Sequence, residues 1–257
     1  MHPILLQIGG LSIRTYGFFV AIGVLVAYNY VLKNAYKKGL DIEFVSNLSF
    51  FSLVSGFLGA RALYVILNFE NYKTNLVDVL KIWEGGLVFY GGFLTGLIFG
   101  VVFIIVNKKN FLEICDLYAP AIFLGLSIGR LGCFSAGCCY GKETTSVLGI
   151  IFSDPNCIAP VGIKLLPTQL FESVYSLIIF VILHKFFVNG KFKQKLLFLG
   201  IIFYSLLRFG NEYLRGDYRG EKIFGLFPSQ FISMVLIILN FLVIIYINFC
   251  AKRSNKN

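Results

Sequence analysis

Seven apolar runs, each close to twenty residues long and joined by short polar connections, dominate this sequence. They cover residues 14–32, 45–67, 86–106, 117–134, 169–188, 196–214 and 228–250. A helix needs about 20 predominantly apolar residues to cross the hydrocarbon core of a bilayer, and every run is near that length. The fourth is the least apolar, because glycine and polar side chains fill its second half. Composition excludes the alternatives. Residues of the Ala, Val, Ile, Leu, Met, Phe, Trp, Tyr and Cys set make up 57% of the 257 residues, charged residues only 14%, and mean hydropathy is +0.79. A soluble domain of this size has too little interior to hide so much apolar surface, and disordered chains are poor in it. The expected fold class is all-α, a polytopic membrane protein of about seven transmembrane helices.

The net charge of +10 does not point to nucleic acid, because the bases fall in short clusters between apolar runs and no nucleic-acid motif accompanies them. Lys33, Lys37 and Lys38 follow the first run, and Lys108 and Lys109 the third. Lys185, Lys191, Lys193 and Lys195 surround the fifth-to-sixth turn, and Lys252, Arg253 and Lys256 follow the last. With seven crossings these all lie on one side, which the positive-inside rule makes cytoplasmic, with the N-terminus outside. Nearly all the arginine lies in the outer half or outside. The opening residues, MHPILLQIGG, lack a basic region and a cleavage site, so no cleavable signal peptide is expected. Residues 135–168 form the longest outer segment and are expected to be a small extracytoplasmic cap, inserted into a single membrane-embedded domain spanning 1–257.

Small residues recur at spacings of four: Ser52, Gly56 and Ala60; Gly92, Gly96 and Gly100; Gly125 and Gly129. Such stripes let helices approach closely in lipid. Charges within spans are costly and face a cavity or a partner. In FYSLLRFGNEYLRGD, Tyr204, Arg208, Glu212 and Arg215 fall within an arc of about 80° on one helical face. They are either an internal salt bridge joining helices or a functional face. In GRLGCFSAGCCYG, residues 129–141, Arg130 stands between glycines that let a ligand approach the backbone. Two arginines on separate helices suit a phosphate, since a guanidinium makes bidentate bonds and keeps its charge in a dry site. In EGGLVFYGG, residues 84–92, four glycines surround Tyr90, which is an interfacial anchor or a working hydroxyl. Arg61 in GARALY and the Gln169–Glu172 pair in PTQLFES are read as orienting or supporting groups.

Taken in order, GARALY, EGGLVFYGG, GRLGCFSAGCCYG, DPNCIAP, LPTQLFES and RFGNEYLRGD resemble the bacterial prolipoprotein diacylglyceryl transferases over about residues 10–240. The resemblance implies transfer of an sn-1,2-diacylglyceryl group from phosphatidylglycerol to the lipobox cysteine thiol of a preprolipoprotein. A thioether forms and glycerol 1-phosphate leaves, at the outer face of the plasma membrane and without a cofactor. It implies Arg130, Arg208, Glu212 and Tyr90 as catalytic residues. Tyr16, Arg61, Cys133, Gly141, Gln169, Glu172, Tyr204 and Arg215 are the expected substrate-binding residues. The partners are phosphatidylglycerol, lipobox-bearing signal peptides and membrane lipids, with no nucleic acid.

Two positions depart from the family pattern. Many members carry histidine, the proposed base, where this chain has Tyr90, and a phenol is a poor base at neutral pH. A common form has asparagine at Cys133. His2 and His184 are placed too far away to substitute. Of the six cysteines, Cys115 and Cys250 read as inert apolar residues. Cys133, Cys138, Cys139 and Cys157 cluster on the outer side, where disulfides persist. No histidine or C-x₂-C spacing supports a metal there, so none is expected. The competing class of function is a lipid-binding paralogue that lost the chemistry at Tyr90. A transporter is less well supported, because no repeated halves are visible.

Overall fold

The computed structural model describes residues 2–8, 11–73, 76–80 and 85–254; Lys81, Glu84 and Lys256 lie outside them. Among these described residues seven long helices follow one another: α1 Thr15–Lys37, α2 Ile42–Leu67, α3 Phe89–Val106, α4 Phe111–Ala136, α5 Thr168–Val188, α6 Leu196–Glu212 and α7 Pro228–Ser254. All except α6 are long and apolar enough to cross a membrane, so the chain is a multi-pass, all-α membrane protein. With 17 residues, α6 is about 26 Å long, short of a hydrocarbon core of about 30 Å.

Local chemistry sets the helix ends. Asp41 caps α2, its side chain accepting from the Phe44 amide at 3.0 Å, and Lys109 Nζ pairs with it at 3.1 Å. The cap bond and the ammonium hold the Asp41 carboxyl below the ordinary range. Asp116 accepts from the amides of Gln194 and Leu196, the latter at 2.8 Å, and so ties the start of α6 to α4. Pro228 opens α7, where its missing N–H costs nothing. Gln230 reaches back to the Phe227 amide at 3.1 Å, half of a capping box.

The chain divides into two compact units, one of Met1–Tyr30 with Cys115–Asn257 and one of Val31–Ile114. In the second, α2 and α3 pack at backbone distance. A Cβ on Gly92 would meet the Gly56 carbonyl oxygen at 2.8 Å, and one on Gly96 would meet that of Ser52 at 3.0 Å. Both expected stripes are therefore the packing seam. In the first unit, Gly23 on α1 meets Gly125 on α4 in the same way, whereas a Cβ on Gly129 would meet nothing within 4 Å. About half of α4 is buried, against very little of α7. Burial against protein explains why the fourth run tolerates polar residues.

Two features absent from the sequence reading flank these helices. Strands β1 Ile4–Ile8 and β2 Leu11–Arg14 form an antiparallel hairpin ahead of α1. Between α4 and α5, β3 Ile150–Ile151 pairs with β4 Lys164–Leu165. Phe152, Ala159 and Leu165 make a small core there, with Phe134, Tyr140 and Cys157 packed against it.

Candidate active site

The first unit gathers its buried charges where α4, α5 and α6 meet. Ser127 and Ser173 lock α4 to α5 reciprocally, each hydroxyl donating to the other's carbonyl at 2.9 and 2.8 Å. That register brings Arg130 to Glu172: Nη2 and Oε1 are 2.8 Å apart, and Glu172 is fully buried. The Tyr204 hydroxyl on α6 donates to the same carboxylate oxygen at 2.5 Å. Four residues along α6, Arg208 Nη1 pairs with Glu212 Oε2 at 2.6 Å, both side chains buried. Arg130 and Arg208 are each within electrostatic reach of the Tyr204 and Tyr175 hydroxyls.

Past the end of α6, Arg215 forms a bidentate pair with Asp217, through Nε at 2.8 Å and Nη2 at 2.6 Å. Burial opposes the charge of Arg215, but Asp217 and Cys139 outweigh it and raise its pKa. Arg219 adds a fourth guanidinium, its Nε 3.4 Å from Asp217 and 4.0 Å from Glu212. Four guanidiniums thus face three carboxylates, leaving one net positive charge. Several buried polar atoms in this cluster have no hydrogen-bond partner: Arg130 Nε, Gln169 Oε1, Glu172 Oε2, Tyr175 OH and Glu212 Oε1. Native interiors leave few such atoms. Their concentration beside paired guanidiniums makes this cluster the candidate site for a polar ligand.

The segment after α4 is pinned to the same helices. Gly137 and Cys139 both take left-handed backbone, at φ +72 and +62, a conformation that costs a non-glycine residue of order 1 kcal/mol or more. Two side chains hold the turn: Gln169 Nε2 donates to the Cys138 carbonyl and Thr168 Oγ1 to that of Cys139, both at 2.7 Å. Hydrogen bonds from Cys133 and Cys138, with the charge of Arg215, hold the Cys139 thiol below the ordinary range, and the interactions of Cys138 with Cys133 and Cys139 push its own thiol up. Tyr16, half exposed, lies within electrostatic reach of Arg130 and these thiols. Gly141 is wedged between two backbones: a Cβ there would be 2.5 Å from the Leu166 carbonyl oxygen and 2.9 Å from that of Leu214. It joins the segment to the end of α6, bridging to Arg215.

Arg61 and Tyr90 belong to the second unit. Arg61 directs its donors to carbonyls, Nε to Val79 at 2.8 Å, Nη2 to Asp78 at 2.9 Å and Nη1 to Gly85 at 2.8 Å. Its guanidinium also lies 5.7 Å from the rings of Tyr64 and Tyr72. Arg61 thus ties Asp78 and Val79 to Gly85. Tyr90, in the first turn of α3, is 68% exposed and meets the ring of Phe89 edge-on at 5.9 Å.

Residues 3–246 match the sequence model of the prolipoprotein diacylglyceryl transferase family. The chain belongs to that family. It is 36% identical to phosphatidylglycerol-prolipoprotein diacylglyceryl transferase 2 of Clostridium perfringens, over 93% of this chain and 92% of that protein. Its identity is 35% to the phosphatidylglycerol-prolipoprotein diacylglyceryl transferase of Clostridium tetani, over 95% and 96%, and 33% to that of a Listeria monocytogenes strain, over 96% and 90%.

In this prolipoprotein diacylglyceryl transferase family member, several site residues escaped sequence reading. Asp217 and Arg219 extend the charge cluster beyond α6, and Asn211 Nδ2 reaches the Thr168 carbonyl at 3.4 Å. Tyr175 and Ser176 continue the buried face of α5 that begins with Thr168, Gln169, Glu172 and Ser173. The signal was present: polar residues recur along PTQLFESVYS at helical spacing, a stripe that an otherwise apolar span has no reason to carry.

Proposed function

We infer that this chain is a membrane-embedded transferase that moves the diacylglyceryl group of phosphatidylglycerol onto a prolipoprotein. The observation that carries the reading is the pair of buried guanidiniums, Arg130 and Arg208, each held by a carboxylate and both facing Tyr204. The acceptor is the lipobox cysteine of the preprolipoprotein. Its thiol loses a proton, the sulfur attacks the terminal glyceryl carbon, and that carbon's bond to the phosphate oxygen breaks. The electron pair departs with glycerol 1-phosphate, so negative charge grows on the leaving oxygen.

Arg130 and Arg208 bind the phosphate and stabilise that charge from positions fixed before the reaction begins. Glu172 and Glu212 keep them charged and aimed in an apolar surrounding. A free thiol titrates near pH 8.5, so few molecules are ionised at neutral pH and a base is required. Glu212 fits that role: Arg208 occupies Oε2, whereas Oε1 has no hydrogen-bond partner. Tyr90 orients substrate, and Arg61 supports the residues it ties together. The reaction runs at the outer face of the bacterial plasma membrane, with the N-terminus outside, the lysine-rich connections inside and 135–168 as an external cap. That orientation follows from the lysine distribution with α6 counted as one of seven crossings.

The test is transfer of labelled diacylglyceryl from phosphatidylglycerol to a synthetic lipobox peptide by the purified protein. Product is expected from the native chain. Arg208→Gln should cost at least about 100-fold, and Glu212→Gln a similar factor. Tyr90→Phe should stay within a few-fold of native. No product from folded, lipid-binding native protein would overturn the reading in favour of a lipid-binding paralogue. Normal turnover in Glu212→Gln would remove Glu212 as the proton acceptor.

A further inference from the structure

Three thiols meet at the end of α4, and only Cys133 among them is an expected substrate-binding residue. The sulfur atoms of Cys133, Cys138 and Cys139 all lie within 4.8 Å of one another, and all three thiols are free. Cys133 is on the last turn of α4, while the other two occupy the turn held by Thr168 and Gln169. Cys138 Sγ is also 3.6 Å from the Cys133 carbonyl oxygen. The three donors are therefore assembled by backbone and side-chain bonds that do not involve a ligand.

We propose that Cys133, Cys138 and Cys139 form a binding site for a thiophilic closed-shell cation, Zn(II) or Cu(I). The dimensions fit. Bonds of about 2.3 Å to a central metal place sulfurs roughly 4 Å apart, so the trio closes with sub-ångström shifts of its side chains. The donor type selects the metal: three sulfurs with no carboxylate or imidazole among them favour soft ions over Mg²⁺ or Ca²⁺.

The surroundings supply the compensating charge. Three thiolates around a divalent ion leave one net negative charge, and around a monovalent ion two. Arg130 Nη1 lies 3.8 Å from both Cys133 Sγ and Cys139 Sγ, and the Arg215 guanidinium acts on Cys139. Donors of this kind orient thiolate ligands from the second layer around a metal. The C-x₄-C-C spacing gives no forecast of this site, because the left-handed turn at Cys139 is what folds the third sulfur back onto the other two. A bound ion would staple the end of α4 to the turn that precedes α5.

The full-length protein, purified in detergent under reducing and chelator-treated conditions, is titrated separately with Zn(II) and with chelator-buffered Cu(I). Native mass spectrometry counts bound metal, and thiol alkylation followed by peptide mapping reports which cysteines become protected. The expected result is one ion per chain, with Cys133, Cys138 and Cys139 protected together and Cys115, Cys157 and Cys250 unaffected. Serine at any one of the three should weaken binding at least tenfold, whereas Cys157→Ser should bind as the native chain does. The native protection pattern alone decides the matter if a serine variant fails to fold. The proposal is overturned if no ion binds, if protection falls outside the trio, or if the native protein instead carries a disulfide within it.

Discussion

Removing one charge from the Arg130–Glu172 pair separates what holds the helices together from what binds phosphate. The two groups are 2.8 Å apart, with Glu172 Oε1 shielded from solvent and the Arg130 side chain 18% exposed. At an effective dielectric constant of about 20, unit charges at that separation attract by about 6 kcal/mol. Desolvation opposes much of this, and deleting one member of a buried pair costs about 3–5 kcal/mol, because the other charge is stranded. Arg130→Gln should therefore lower stability by roughly that amount, since Tyr204 alone remains to satisfy Glu172 Oε1. Glu172→Gln should cost less, because Arg130 reaches some solvent and two sulfurs. The double variant Arg130→Gln/Glu172→Gln strands no charge and should recover about 2 kcal/mol or more relative to Arg130→Gln. Unfolding in mixed micelles, titrated with a denaturing detergent, measures all four proteins. Transfer activity should be lost in the double variant even though stability returns. A double variant no more stable than Arg130→Gln would refute the pairing as the source of stability. One that is both stable and active would refute Arg130 as a phosphate ligand.

Three further perturbations test the scaffold. Gly91→Ala puts a Cβ 2.5 Å from the Gly59 carbonyl oxygen and 2.6 Å from Leu63 Cβ; the forced separation of α2 and α3 should cost about 1–3 kcal/mol, and an unchanged unfolding midpoint would contradict the close seam. Asp116→Ala deletes both carboxylate bonds at the start of α6 and should cost roughly 2–4 kcal/mol, with hydrogen exchange rising first at the amides of Gln194 and Leu196. The carboxyl of Asp41 titrates below its ordinary value, so its capping contribution is complete above the unfolded pKa and fades as pH falls through the lower folded one. Stability of the native chain should then drop below about pH 4 more steeply than that of Asp41→Asn, which caps without titrating.

The helices were legible because a membrane leaves the backbone few options: in hydrocarbon every N–H and C=O must be bonded within the segment, so a long apolar run means a helix. The small-residue stripes were legible for a related reason, since close approach in lipid needs small side chains at fixed spacing, and Gly56 with Gly92 meets that need. What resisted reading was whatever depended on register between helices. Arg208 and Glu212 are four apart on one helix, and their pairing follows from the helical repeat. Arg130 and Glu172 are 42 positions apart, and their meeting depends on the reciprocal Ser127–Ser173 bonds and on how closely the helices approach.

The cysteine turn lies at the far end of the same scale. Its geometry rests on a left-handed non-glycine residue and on two side chains from the first turn of α5, none of which the C-x₄-C-C pattern announces. Charge bookkeeping recovers part of what register hides. A guanidinium within a spanning segment is too costly to stand alone, so each arginine in a span forecasts a partner, backbone carbonyls for Arg61 and a carboxylate for Arg130 and Arg208. Arg130 could only have drawn on the few acids that lie within apolar runs, and Glu172 and Glu212 are the two on the helices that surround it. Glu212 is taken by Arg208 at the nearest helical spacing, which leaves Glu172. The inter-helix partner is thus deducible by elimination once both acids are recognised as charges that need pairing, and that step treats the glutamate of PTQLFES as part of the phosphate site rather than as a bystander to it.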